Sequence, residues 1–221
     1  MSANPIDGIR RIPLYTFHER AWHWVQAVTI LALLVTGAEI HAPEAVSIFG
    51  FRTAVLVHNA FAVLLLLNAA MGLFYFVTSG MIRQFGPQPR DFVTMSLAQV
   101  RFYAYGIFRG EPHPMQHDAE HKLNPLQQVT YLVILNVLLP LQVITGLLIW
   151  SASRWPELVA SIGGLGWLVP IHALCAWLFL AFTIMHLYLT TTGETPTTNL
   201  EAMVHGDLKT RHDTTTEEAA R

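Results

Sequence analysis

The chain reads as an all-α integral membrane protein, a four-helix bundle, and three observations predict that class. Of its 221 residues 52% are hydrophobic and 13% charged, with a mean hydropathy of +0.40, a composition suited to a bilayer rather than to water. Four apolar runs reach or approach the ~20 residues a helix needs to cross the hydrocarbon layer. Four histidines fall inside those runs, whose interiors hold no Asp, Glu, Lys or Arg.

The first run, 22–38, is the shortest. It opens on Trp22 and Trp24, which suit an interfacial belt, and tilt or local thinning absorbs its length before Glu39. The second and third runs are 54–77 and 126–150, and the fourth is 167–189. Between the second and third lies a connector, 80–125, whose Pro and Gly punctuation brackets a helix from about residue 91 to 108. Phe92, Met95, Val100, Phe102, Tyr103, Ile107 and Phe108 make that helix apolar enough to lie against the membrane, the bundle or a partner subunit. The loops 39–53 and 151–166 are short and turn-rich, too small for a catalytic domain, and the tail 193–221 is polar. Residues 1–221 therefore form a single membrane domain.

Charge orients it. Arg10, Arg11, Arg20, Arg83, Arg90, Arg101, Arg109, Lys122, Lys209, Arg211 and Arg221 fall on one side and only Arg52 and Arg154 on the other, so both termini are expected in the cytoplasm of a bacterial inner-membrane protein. The first 20 residues mix charge with two prolines and predict no cleaved signal. A net charge of −2 without a basic run gives nucleic acid no footprint. The single cysteine, Cys175, excludes an intrachain disulfide, an iron–sulfur cluster and covalent haem attachment.

Histidines within spans are costly and call for a function. Topology fixes their depths. His23 enters from the cytoplasm on the first span and His58 from outside on the second, while the fourth runs inward from His172 to His186. The pairs are thus His23 with His186 near the inner face and His58 with His172 near the outer. The 14 residues between His172 and His186 place them within roughly 40° of one face and about 21 Å apart along the axis. Facing imidazoles on neighbouring helices are the usual way to hold low-spin haem b, so two stacked haems b with these four metal ligands are expected. Gly37 and Gly72 each follow a span histidine by 14 residues, at the depth of the other pair, where a porphyrin edge would need room. Gly146 is placed to do the same. The competing reading of these glycines is ordinary close helix packing, and a lone membrane histidine can be structural. Met71 and Met185 read as apolar filler, His18 as interfacial and His41 as a turn residue. His113, His117 and His121 recur every fourth residue, but Pro112 and Pro114 interrupt a helix and no cysteine joins them, so a solvated loop, proton delivery or a metal site remain the readings there.

These residues resemble the di-haem cytochrome b subunits that anchor nickel–iron hydrogenases, respiratory formate dehydrogenases and thiosulfate-reductase-type enzymes. The resemblance covers nearly the whole chain. It rests on Glu19–Arg20–Ala21–Trp22–His23–Trp24, Val57–His58–Asn59, Ile171–His172–Ala173 and Met185–His186–Leu187–Tyr188. It implies the same pairing of ligands, and a respiratory-chain role in electron transport between a partner carrying iron–sulfur and catalytic subunits and membrane quinone. It also implies a quinone site near the inner haem, where His121–Lys122–Leu123–Asn124–Pro125–Leu126–Gln127 stands, making Asn124 and Gln127 the candidate quinone residues. Pro125 and Leu126 depart from the smaller, glycine-containing stretch of those relatives, and the pocket is expected to differ accordingly. No nucleotide loop, nucleophile triad or cysteine cluster appears, so any substrate chemistry would belong to a partner. The alternatives are a stand-alone quinone-linked cytochrome resembling superoxide oxidases, a proton-relay transporter and a purely structural anchor.

Overall fold

The computed structural model describes residues 9–82, 92–111, 125–193 and 195–211. A short strand β1 (Ile9–Pro13) leads into α1 (Phe17–His41) and α2 (Phe51–Thr78). The connector contributes α3 (Phe92–Arg101), which runs on as a π turn (Phe102–Gly106) and a 3-10 turn (Ile107–Arg109). The third span is built from α4 (Pro125–Val133), a π turn (Ile134–Leu138) and α5 (Leu139–Ser151). After α6 (Pro156–Ser161) come the fourth long helix α7 (Leu165–Thr190), then α8 (Thr198–His205) and strand β2 (Asp207–Arg211). Among the described residues four helical stretches, Phe17–His41, Phe51–Thr78, Gln127–Ser151 and Leu165–Thr190, are long and apolar enough to cross a membrane. The all-α class read from composition and apolar runs is the class observed.

Each long helix outruns its apolar stretch, for local reasons. Thr16 and Glu19 form a capping box, the Glu19 amide donating to Thr16 Oγ1 at 3.3 Å and the Thr16 amide to Glu19 Oε2 at 2.7 Å, so α1 starts five residues before Trp22. Its other end passes Glu39, which is 1% exposed and turned inward. The Glu39 carboxylate accepts from the amides of Ile48, Phe49 and Gly50 at 2.7–3.1 Å. Those amides lead into α2, whose cap, Gly50, has no side chain to offer, and the carboxylate also meets the positive end of the helix dipole. The π turn in the third span has its own cause: Pro140 has no N–H to donate and crowds the preceding turn, and widening that turn makes room. Asn136 Nδ2 donates to the Leu132 carbonyl at 2.9 Å within the same distortion.

Packing pairs α1 with α2 and α5 with α7, α1 meets α7 across the middle, and α3 lies on α4. The bundle is apolar outside and partly polar inside. Leu56, Met71, Leu73, Phe74, Trp177 and Leu187 are more than half exposed, whereas Thr29, Thr36, Asn68, Thr145 and Ser151 are buried, the arrangement lipid favours because tails solvate leucine while polar groups seek partners inside. A small apolar cluster of Leu138, Cys175 and Phe179, flanked by Leu34 and Ile171, joins the third span to α7 and α1.

Beyond the spans the tail is folded where the sequence pattern showed only polarity. β2 pairs antiparallel with β1, Ile9 opposite Arg211 and Pro13 opposite Asp207. The amides of Leu14 and Tyr15 donate to the Gly206 carbonyl at 2.8 and 3.0 Å. α8 is tied to the start of α1, where Arg20 donates to the Val204 carbonyl and Trp24 Nε1 to the Met203 carbonyl at 3.3 Å. Gly206, at φ +96°, closes α8 in a conformation only glycine adopts freely.

Candidate functional site

Two histidine pairs face each other across the bundle at different depths. His58 on α2 faces His172 on α7, ring centroids 6.5 Å apart and planes at 69°. His23 on α1 faces His186 on α7, at 6.1 Å and 51°. α7 is continuous between its two histidines, so the pairs are separated by about 21 Å of helix. The His23/His186 pair lies toward the end that carries the β ribbon, and the His58/His172 pair toward the loop held by Glu39.

The His58/His172 pair is held from behind. Thr36 Oγ1 donates to the Ala32 carbonyl at 2.7 Å and lies 2.9 Å from His58 Nδ1. Thr145 Oγ1 donates to the Leu141 carbonyl at 2.7 Å and lies 2.9 Å from His172 Nδ1. With each hydroxyl proton directed to its own helix, the oxygen accepts, and the ring nitrogen supplies the proton. Both rings therefore carry hydrogen on Nδ1 and a lone pair on Nε2. His172 Nε2 accepts from Gln142 Nε2 at 3.0 Å, as that tautomer requires, while Gln142 Oε1 is buried with no partner among the described residues. The adjacent glycines open the same places: a Cβ added to Gly37 would lie 3.4 Å from His58 Cε1, and one added to Gly146 would lie 3.1 Å from His172 Cε1.

The His23/His186 pair is built differently. His23 Nδ1 is buried without a hydrogen-bond partner among the described residues. His186 stacks on Phe182, centroids 5.7 Å apart, and Phe182 meets Tyr131 at 6.3 Å. Behind His23, Trp22 Nε1 donates to the Asn68 carbonyl at 3.0 Å, and Asn68 Nδ2 donates to Gln26 Oε1 at 2.7 Å. Gly72 admits that indole: a Cβ there would lie 2.8 Å from Trp22 Cε2. The space Gly72 opens is thus filled by Trp22, whereas Gly37 opens toward a histidine. Below this pair Tyr15 is half-buried, and loss of hydration pushes its hydroxyl pKa up to about 12, with Tyr131 and Glu19 adding to the effect.

Of the candidate quinone residues, Gln127 sits half-buried in the first turn of α4. Asn124 lies outside the described residues, as do Lys122, His113, His117 and His121. His18 stacks on Tyr75 at 5.7 Å, away from both pairs. Sequence reasoning passed over Thr36, Thr145, Gln142, Asn68 and Glu39. Its available signal was a Thr–Gly dipeptide occurring in both the first and third spans.

Two findings place this geometry among known proteins. The family model described as prokaryotic cytochrome b561 matches residues 14–206, which takes in all four histidines. A protein of Escherichia coli (strain K12) named "Putative cytochrome YdhU" is 35% identical over 206 residues, covering 90% of this chain and 76% of that one. Membrane-spanning helices, half-buried imidazole pairs and a match of this extent agree, and the chain belongs to the prokaryotic cytochrome b561 family, multi-pass bacterial membrane proteins that bind haem b and serve electron transport.

Proposed function

We propose that this chain is a di-haem cytochrome b membrane subunit that transfers electrons between a partner oxidoreductase, of hydrogenase, formate dehydrogenase or thiosulfate/tetrathionate-type reductase class, and membrane quinone. The observation that carries the reading is the presence of two facing imidazole pairs, 6.1 and 6.5 Å between centroids, at two depths of one bundle. Two metal–imidazole bonds of about 2 Å each, with a ring nitrogen about 1 Å from its ring centre, span about 6 Å. The donor set fits haem b in chemistry as well as in span: neutral imidazoles in an apolar bundle, with Gly37 and Gly146 leaving room beside two of them.

Haem supplies the one-electron iron chemistry when bound. The chain's own residues divide the remaining work. His23 and His186 would hold one haem near the cytoplasmic face, and His58 and His172 would hold the other near the outer face. The cytoplasmic placement of both termini rests on the Lys and Arg distribution. Gln127, at the entry of the third span on the His23/His186 side, and Asn124, three residues before it in the sequence, are the side chains we assign to quinone. The partner oxidoreductase docks on the outer side.

The test is the haem-to-protein ratio and dithionite-reduced spectrum of the purified chain, repeated with each of the four histidines changed to alanine. Two haems, with one lost on removing either member of a pair, is the expected result. A ratio of one or none, or loss that ignores the pairing, would overturn it. Co-purification with an iron–sulfur or molybdenum subunit is expected, and isolation of an active chain alone would favour the stand-alone quinone-linked cytochrome instead.

A further inference from the structure

Two of the four spans carry the dipeptide Thr–Gly, and in both the pair is folded against a histidine of the neighbouring helix. Thr36–Gly37 on α1 backs His58 of α2, and Thr145–Gly146 on α5 backs His172 of α7. The correspondence extends atom by atom. Each threonine oxygen stands 2.9 Å from Nδ1, each hydroxyl donates to the carbonyl four residues back, and each glycine faces ring Cε1. Thr36 and Thr145 are 1% and 3% exposed, so water does not compete for these contacts. The His23/His186 pair has no counterpart among the described residues, where His23 Nδ1 is unpartnered.

We propose that Thr36–Gly37 and Thr145–Gly146 are a repeated cradle that positions His58 and His172 with Nε2 toward the iron, and that the two threonines set the redox equilibrium of the haem held there. The proposal rests on the di-haem reading above. Its physical basis is the hydrogen bond from Nδ1–H to a hydroxyl oxygen whose own proton is committed elsewhere. That bond fixes the tautomer and ring angle and makes the imidazole a stronger electron donor, which favours ferric over ferrous iron. Thr36 and Thr145 are positioning residues, acting through the ligands rather than on the iron. The His23/His186 pair lacks this support among the described residues and serves as an internal control.

The experiment is a redox titration of the purified chain, with electron paramagnetic resonance of the ferric haems, for wild type and for Thr36→Val, Thr145→Val, Thr36→Ser and Thr145→Ser. His58→Ala identifies which component belongs to the outer pair. Each valine variant is expected to shift that component's redox equilibrium toward ferrous, by no more than the roughly 10-fold that the whole of one buried hydrogen bond is worth, and to change its resonance position. The His23/His186 component should stay in place, and each serine variant should return the shifted one toward the wild-type value. Loss of the outer haem alone in a valine variant would also support the cradle. Valine variants that leave the outer component unmoved, or that move both components together, would overturn it. A wild type with fewer than two haems, or a His58→Ala variant that loses none, would instead mark failure of the di-haem reading.

Discussion

At Gly37 and Gly146 the addition of one methyl group meets the same atom of a histidine at different distances, 3.4 and 3.1 Å. The first is ordinary contact and the second requires the ring to give by a few tenths of an ångström. Gly146→Ala is therefore expected to displace His172 and, on the proposed di-haem reading, lower the haem content, while Gly37→Ala keeps it, as the reduced difference spectrum of the two variants would show. Gly72→Ala should act elsewhere, because its methyl meets the Trp22 indole. The cost there is the 1–3 kcal/mol of an overpacked contact between α1 and α2, read as a lower melting temperature in detergent. The histidines and their pairing were legible at this scale, since depth follows from residue number along four alternating helices. The threonines were not. A hydroxyl in a membrane helix ordinarily bonds its own carbonyl, and nothing in the pattern reveals that its oxygen also receives a proton from the next helix.

The apolar runs located four elements but not their ends, because what extends α1 and α2 is polar. Thr16 and Glu19 begin α1, and a buried glutamate, which hydropathy reads as a terminus, organises the turn into α2. Glu39→Ala would strand the amides of Ile48, Phe49 and Gly50, at a cost of about 2–4 kcal/mol. Thermal unfolding followed by haem absorbance should show that loss, and Glu39→Gln should recover part of it, since one amide oxygen can still accept. Asn68→Leu removes the bond to Gln26 and is expected to cost about 0.6–1.7 kcal/mol, the range for hydrogen bonds between membrane helices. The connector helix expected near 91–108 is found as Phe92–Arg101 with its π and 3-10 continuation. Pro and Gly punctuation on either side made that element readable, and the structure closes it at Gly110, which adopts φ +68°.

For the molecule as a whole, composition gave the class and the bundle, but the ribbon between β1 and β2 escaped because its partners are about 200 residues apart and neither alternates in hydrophobicity. Gly206→Val tests its importance. The substitution strains a left-handed position and sets a Cβ 2.9 Å from the Tyr15 carbonyl oxygen, which should cost about 1–3 kcal/mol and expose the tail to protease while the haem spectrum stays unchanged. The ribbon also bears on how the protein is made. β1 precedes the first span and β2 follows the last, so the strands meet only after an even number of crossings has returned the chain to the face it started from. A nascent chain halted after three spans leaves Ile9–Pro13 without its mate. The clasp therefore closes only after the fourth span, and its closure marks a bundle whose four spans are all in place.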